Sequence, residues 1–424
     1  MKTKTFANPW IIFIGCCLMS FVGFGLVVNT HGLYFAPLTE ELGLNKTELS
    51  LTLTLQAIAC AVTLIFSGRI MSKVNTQLLL TLCILMFGGG FILFAFFTSI
   101  VPFLIVWTLI GIAQAFALVV AIPVLLGNWF EKKLGLVMGV ALGVSGLGGA
   151  FFNPMISSII INNGWRTATI VSGILILVCI LPFTLFVFRS APNAEKGELP
   201  YGRERNTLDN KKVVEEVVLG ITAKEAYRTS SFYFYLITMF SLSMVGGIVQ
   251  HVSGHIVNEG FNLTVGASVV SAIMLGAAAG KFLIGILLDI FHANLVISLY
   301  AIFGIVGWGG LIWFSSEVSL VGSGFLLGLG QGISLVAIPY FVRKTFGAKE
   351  YSQIYSIIAM VGSFASAISA TLGGVFFDKL GSYHLPISTN LVFYLIAALC
   401  ILTAYAHKKK INSDTNEIRE EKLV

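Results

Sequence analysis

Twelve apolar runs follow one another along the chain, each long enough to cross a bilayer and nearly free of charge. They cover 10–36, 48–68, 78–97, 102–127, 135–160, 167–188, 231–257, 266–288, 294–314, 319–341, 351–374 and 386–406. A hydrocarbon core about 30 Å thick takes about 20 helical residues. Backbone inside it must satisfy its own hydrogen bonds, which leaves helices or a closed barrel. Barrel strands would be about 10 residues long and alternating; these runs are continuous and longer. The expected class is therefore an all-α polytopic membrane protein. Charge agrees: 11% of the 424 residues are charged, against about 25% in a soluble domain. The first run is too long for a removed signal peptide, and no small-residue cleavage site precedes a soluble body.

Lys and Arg set the orientation. With the N-terminus in the cytoplasm, only Lys46, Arg166 and Lys379 of the 26 basic residues fall outside, and one, Lys281, falls within a span. Both termini are expected to be cytoplasmic, in a multi-pass protein of the bacterial inner or plasma membrane. The net charge of +6 is then an insertion signal, not a nucleic-acid footprint. All six cysteines lie in spans without metal-ligand spacing and read as packing residues. Trp10, Trp129, Trp165 and Trp313 lie near span ends and suit the interfacial belt.

The longest polar segment, 189–230, divides the chain. The expected organisation is a six-helix half at 1–188, a cytoplasmic linker at 189–230, a second six-helix half at 231–406 and a cytoplasmic tail at 407–424. The halves are related. AIPVLLGNWFEKKLG (121–135) lines up with AIPYFVRKTFGAKEY (337–351), placing Phe130 on Phe346. GIAQ (111–114) matches GLGQ (328–331), and Gly68 of SGRIMSK aligns on Gly285 of IGILLDI. A duplicated six-helix unit is the plan of a parallel-repeat transporter, with substrate held near the midplane between the halves.

With these motifs the chain resembles the major facilitator superfamily over essentially its whole length. The family's loop motif after span two, Gly-x-x-x-Asp-Arg/Lys-x-Gly, reads GRIMSKVN here. Gly68 and Lys73 are kept, and Ser72 stands for the acid. The copy after span eight, GILLDIFH, keeps Gly285 and Asp289. These four residues are the expected conformational motif. Three further stretches, NWFEKKLGLVMGVALGVSGLGGAFFNP with GWR, TFGAKEYSQIY and GGVFFDKLGSYH, resemble the monocarboxylate transporter and oxalate/formate antiporter branch. That branch carries an arginine on helix eight within Gly-Arg-x-x-x-Gly. The matching stretch here is GKFLIG, 280–285, with Lys281 in the arginine's place.

An ammonium at that depth costs about 2.5–3.5 kcal/mol on insertion scales. Asp289 is eight residues on, about 12 Å along a helix, and no acid lies in any span core. A bound carboxylate would supply the missing charge. Lysine offers a point charge where arginine offers a two-pronged fork. Helix eleven has no Lys or Arg, and Ala277 stands where proton symporters of the branch have an aspartate. One cation favours one carboxylate.

The reading is a secondary carrier for a small organic anion, most simply a monocarboxylate of the lactate, pyruvate or formate type. It would work by alternating access, as an antiporter or a proton-coupled symporter, and as a monomer. Lys281 is the principal candidate for substrate binding, with Asn29, His31, Gln114 and Gln331 as lesser ones. A drug or metabolite exporter of the same superfamily is the alternative, and a non-transporting anion sensor a more distant one. His251 and His255, four apart in QHVSGH, suit a metal by spacing but have no evident third ligand, and read as a polar vestibule. The glycines of GVALGVSGLGG (139–149) have no strand before them and no Lys-Ser/Thr after, so they read as close helix packing. No metal set, nucleophile constellation or cofactor motif is present, so no enzyme, cofactor or nucleic-acid partner is expected.

Overall fold

The structure, a computed structural model, describes residues 8–44, 46–192, 198–202 and 220–407. Eleven helical stretches among the described residues are long and apolar enough to cross a membrane. One of them, Leu134–Phe186, has 53 residues, about 80 Å at 1.5 Å per residue. It breaks at Gly164 (φ 82°, ψ 161°), a conformation that needs glycine because a Cβ would clash. The stretch is therefore spans five and six, and the candidate crossings among the described residues number twelve. The others are Pro9–Tyr34, Leu51–Lys73, Thr76–Phe94, Ile100–Trp129, Ser230–Ile248, Ser268–Ile290, Ala293–Trp313, Glu317–Phe346, Tyr351–Ser369 and His384–Ala406. Large apolar side chains point outward along them, among them Ile161, Phe186 and Val318. In water such a surface would be a liability; in lipid it is the required one.

The chain forms two compact units, one of Met1–Val217 with Lys281–Asp289, the other of Val218–Gly280 with Ile290–Val424. In the first, span one packs on span five and span two on span four. Glycines set these approaches: a Cβ at Gly25 would sit 3.0 Å from the Gly148 carbonyl carbon, and one at Gly111 only 3.0 Å from Gln56 Cα. In the second unit span seven packs on spans eleven and twelve, and span nine on span ten. There Gly276 and Gly280 lie against the backbones of Gly328 and Leu329, the close packing expected of small residues in a membrane.

The sequence repeat has a backbone counterpart. Gln114 is followed by a wide, π-helical stretch at Ala115–Ala121, and Gln331 by one at Ile333–Ala337. The α-segments Ile122–Trp129 and Ile338–Phe346 follow, each with proline in its first turn, where the missing N–H is not needed. The polar segment between the halves is tied at matching points. Tyr201 N–H donates to Trp129 O (2.8 Å) and Ile221 N–H to Phe346 O (3.0 Å). Residues 193–197 and 203–219 of that segment, and 408–424 of the tail, lie outside the described residues.

Two local expectations need correction. Gly68 and Lys73 belong to the helix Lys46–Lys73, and Gly285 and Asp289 to the helix Leu263–Ile290; none lies in a loop, because the apolar pattern ends before the helices do. Trp129 and Trp165 are buried, and their indole N–H groups bond Arg189 O and Glu41 Oε2. The rings are packed against protein rather than exposed, with Arg189 O and the exposed Glu41 carboxylate as their polar partners. Trp10 and Trp313 are exposed.

Candidate functional site

Span eight's last third, Lys281–Asp289, lies along span five in a ladder of three contacts. Lys281 Nζ meets Ser145 Oγ at 3.3 Å. Gly285 meets Gly139 so closely that a Cβ on Gly285 would fall 2.8 Å from Gly139 Cα. Asp289 takes the Gly135 N–H on Oδ1 (3.0 Å) and the Leu136 N–H on Oδ2 (2.8 Å). The helix starting at Leu134 has no cap of its own, since Lys133 before it adopts φ +59° and makes no side-chain cap bond. Asp289 therefore supplies the acceptors and negative charge that a helix N-terminus favours.

Lys281 is 9% exposed. Among the described residues no carboxylate pairs with it; Ser145 Oγ is its hydrogen-bond partner. Ser145 gives its own hydrogen to Leu142 O at 2.6 Å, so it turns a lone pair to the ammonium. Two ammonium hydrogens remain for another acceptor. Asn29, at the end of the wide helical stretch Met19–Asn29, gives one amide hydrogen to Ser145 O at 3.2 Å and keeps the other. Gly149 leaves room for it, because a Cβ there would sit 2.7 Å from Asn29 Nδ2. Lys281 and Asn29 are thus two donors joined through Ser145, which accepts from both. Ser145 escaped the sequence reading: an uncharged serine in a glycine-rich span looks like packing.

The remaining candidates are placed elsewhere. Gln114 accepts the Gln56 amide N–H at 2.9 Å, the cross-helix pairing that buried amides require. Gln331 is half-buried in the second unit, where Ser334 Oγ donates to its carbonyl (3.0 Å). His31 stacks on Trp107 (centroids 3.7 Å apart, 6° between planes) and bonds Thr52 Oγ1, apart from the lysine cluster. Gly68 is buried and Lys73 exposed. In the second unit, His255 Nε2 bonds Leu311 O (3.0 Å), and Glu259 pairs with His384 Nε2 (2.9 Å).

The family model of the Major Facilitator Superfamily matches residues 12–274 and again 232–423. The chain belongs to that superfamily. The uncharacterized MFS-type transporter YcxA of Bacillus subtilis is 18% identical over 94% of this chain and 95% of its own length. The probable sulfoacetate transporter SauU of Cupriavidus necator is 28% identical over 42% of this chain and 41% of its own. The Escherichia coli fucose:proton symporter FucP has the same fold, with a TM-score of 0.69 at 15% identity over 95% of this chain and 98% of FucP. This superfamily member is accordingly a membrane transporter with a small-molecule substrate, not an enzyme.

Proposed function

We propose that this transporter carries a small organic anion, most simply a monocarboxylate, and that Lys281 receives the carboxylate. The observation that carries the reading is the buried Lys281 ammonium, which has a serine hydroxyl for partner and no carboxylate among the described residues. A buried charge is costly unless paired, and an anionic substrate would supply the pair. Asn29 adds a neutral donor beside it. The sulfoacetate assignment in the SauU name supports an organic anion as the class; the FucP likeness speaks for the fold alone. Alternating access would follow from rocking of the two six-helix halves at 1–188 and 231–406. Gly68, Lys73, Gly285 and Asp289 would bias the states. The excess of Lys and Arg on one side puts both termini in the cytoplasm of a bacterial cell. With no carboxylate beside Lys281 among the described residues, exchange of related anions is the simplest coupling.

The test is exchange in proteoliposomes. Vesicles loaded with lactate, pyruvate, formate, acetate, oxalate or sulfoacetate are offered the same labelled compound, with fucose and xylose alongside. Exchange of a monocarboxylate is expected. Exchange of a sugar and of no anion would overturn the reading.

A further inference from the structure

We propose a second ligand site, for a small ammonium ion, in the cavity at the end of the first unit where span one finishes and span two begins. The ligand class is ammonium itself or a primary alkylammonium no larger than methylammonium. The cavity measures about 20 Å³, room for one guest of about water size.

Four of its polar groups offer acceptors. Thr52 Oγ1 gives its hydrogen to Leu49 O at 2.5 Å, so toward His31 Nε2 at 3.2 Å it accepts. Nε2 therefore carries the imidazole hydrogen, and Nδ1 is a bare lone pair. His31 is 4% exposed, and Nδ1 has no hydrogen-bond partner among the described residues. Ser172 Oγ gives its hydrogen to Ala168 O at 2.8 Å, so Tyr34 donates to Ser172 at 3.2 Å and keeps its oxygen lone pair. Thr169 gives its hydrogen to Arg166 O at 2.8 Å. The three hydroxyls and the imidazole of the wall thus all offer lone pairs, which suits a guest with several N–H groups. A carboxylate would meet lone pair on lone pair, so this is not a second anion site.

The rest of the wall is aromatic and aliphatic. Trp107 stacks on His31, Phe94 stacks on Trp107 with centroids 5.2 Å apart, and Phe94 also stacks on Phe103 at 5.2 Å. The nearby Glu41 carboxylate is already shared by Arg166 and Trp165, so no unmatched charge adds to the attraction.

The test uses the purified full chain in detergent at constant ionic strength and follows tryptophan fluorescence, since Trp107 and Trp165 line the cavity. Ammonium and methylammonium chloride are expected to give a saturable change. Potassium, a small cation with no hydrogens to donate, and tetramethylammonium, which is too large, are expected to give none. His31→Phe and, separately, Thr169→Val should weaken the response at least tenfold while the thermal transition stays cooperative; the second variant serves if the first does not fold. An equal response to potassium overturns the proposal. So does a response that survives both substitutions, and so does no response at all, which would mean a cavity filled by water. None of these outcomes depends on Lys281 or on anion exchange.

Discussion

Lys281 and Ser145 meet across spans eight and five, Nζ to Oγ at 3.3 Å, with the serine's own hydrogen turned away to Leu142 O. Ser145 therefore holds the ammonium without neutralising it. Ser145→Ala removes that acceptor, a loss of about 1 kcal/mol. Initial rates should show KM for the anion changed about fivefold with the charge still in place. An unchanged KM would mean that Ser145 does not position the ammonium.

Asp289 caps the helix beginning at Leu134 from far along the chain. Asp289→Ala strips two amides of their acceptors and the helix end of its negative charge. It should cost about 1 kcal/mol, read as a lowered thermal midpoint. Asp289→Asn, which keeps one acceptor oxygen, should fall between.

Gly139 and Gly89 give opposite expectations from the same residue type. A Cβ on Gly139 would lie 2.7 Å from Lys281 O, whereas around Gly89 nothing lies within 4 Å. Gly139→Leu should destabilise by about 1–3 kcal/mol through overpacking, and Gly89→Ala should be neutral or slightly stabilising. Thermal unfolding of the two variants separates the cases.

Gln114 and the buried Gln56 form a cross-helix amide pair. Gln114→Leu leaves the Gln56 amide unpaired, a cost of about 1–3 kcal/mol. Adding Gln56→Leu should restore most of it, and a double-mutant cycle in thermal stability measures the coupling. No coupling would return Gln114 to the substrate candidates.

The span count and the repeat were legible because apolar length and motif spacing are local in sequence. Even the break between spans five and six showed, as Asn-Asn-Gly before Trp165. Lys281 stood out because a charge in an apolar run is costly. What stayed hidden is what depends on which helix faces which. The partner of Lys281 is a serine 136 positions away. The capping role of Asp289 appears only once Lys281–Asp289 lies along span five. His31 looked like a substrate ligand beside Asn29, yet Trp107 and Thr52, brought in by two other spans, set its surroundings. Trp165 looked like an interfacial anchor because its bond to Glu41 joins distant segments.

The most direct test of the account is counterflow of the preferred anion by wild type, Lys281→Arg and Lys281→Ala at matched amounts of folded protein. The account predicts that the wild type concentrates labelled monocarboxylate, that Lys281→Arg retains part of this because it keeps the charge, and that Lys281→Ala loses at least 90% of it, a barrier or binding change of about 1.4 kcal/mol or more. If Lys281→Ala exchanges the anion as well as the wild type, the ammonium is structural and the anion reading is contradicted.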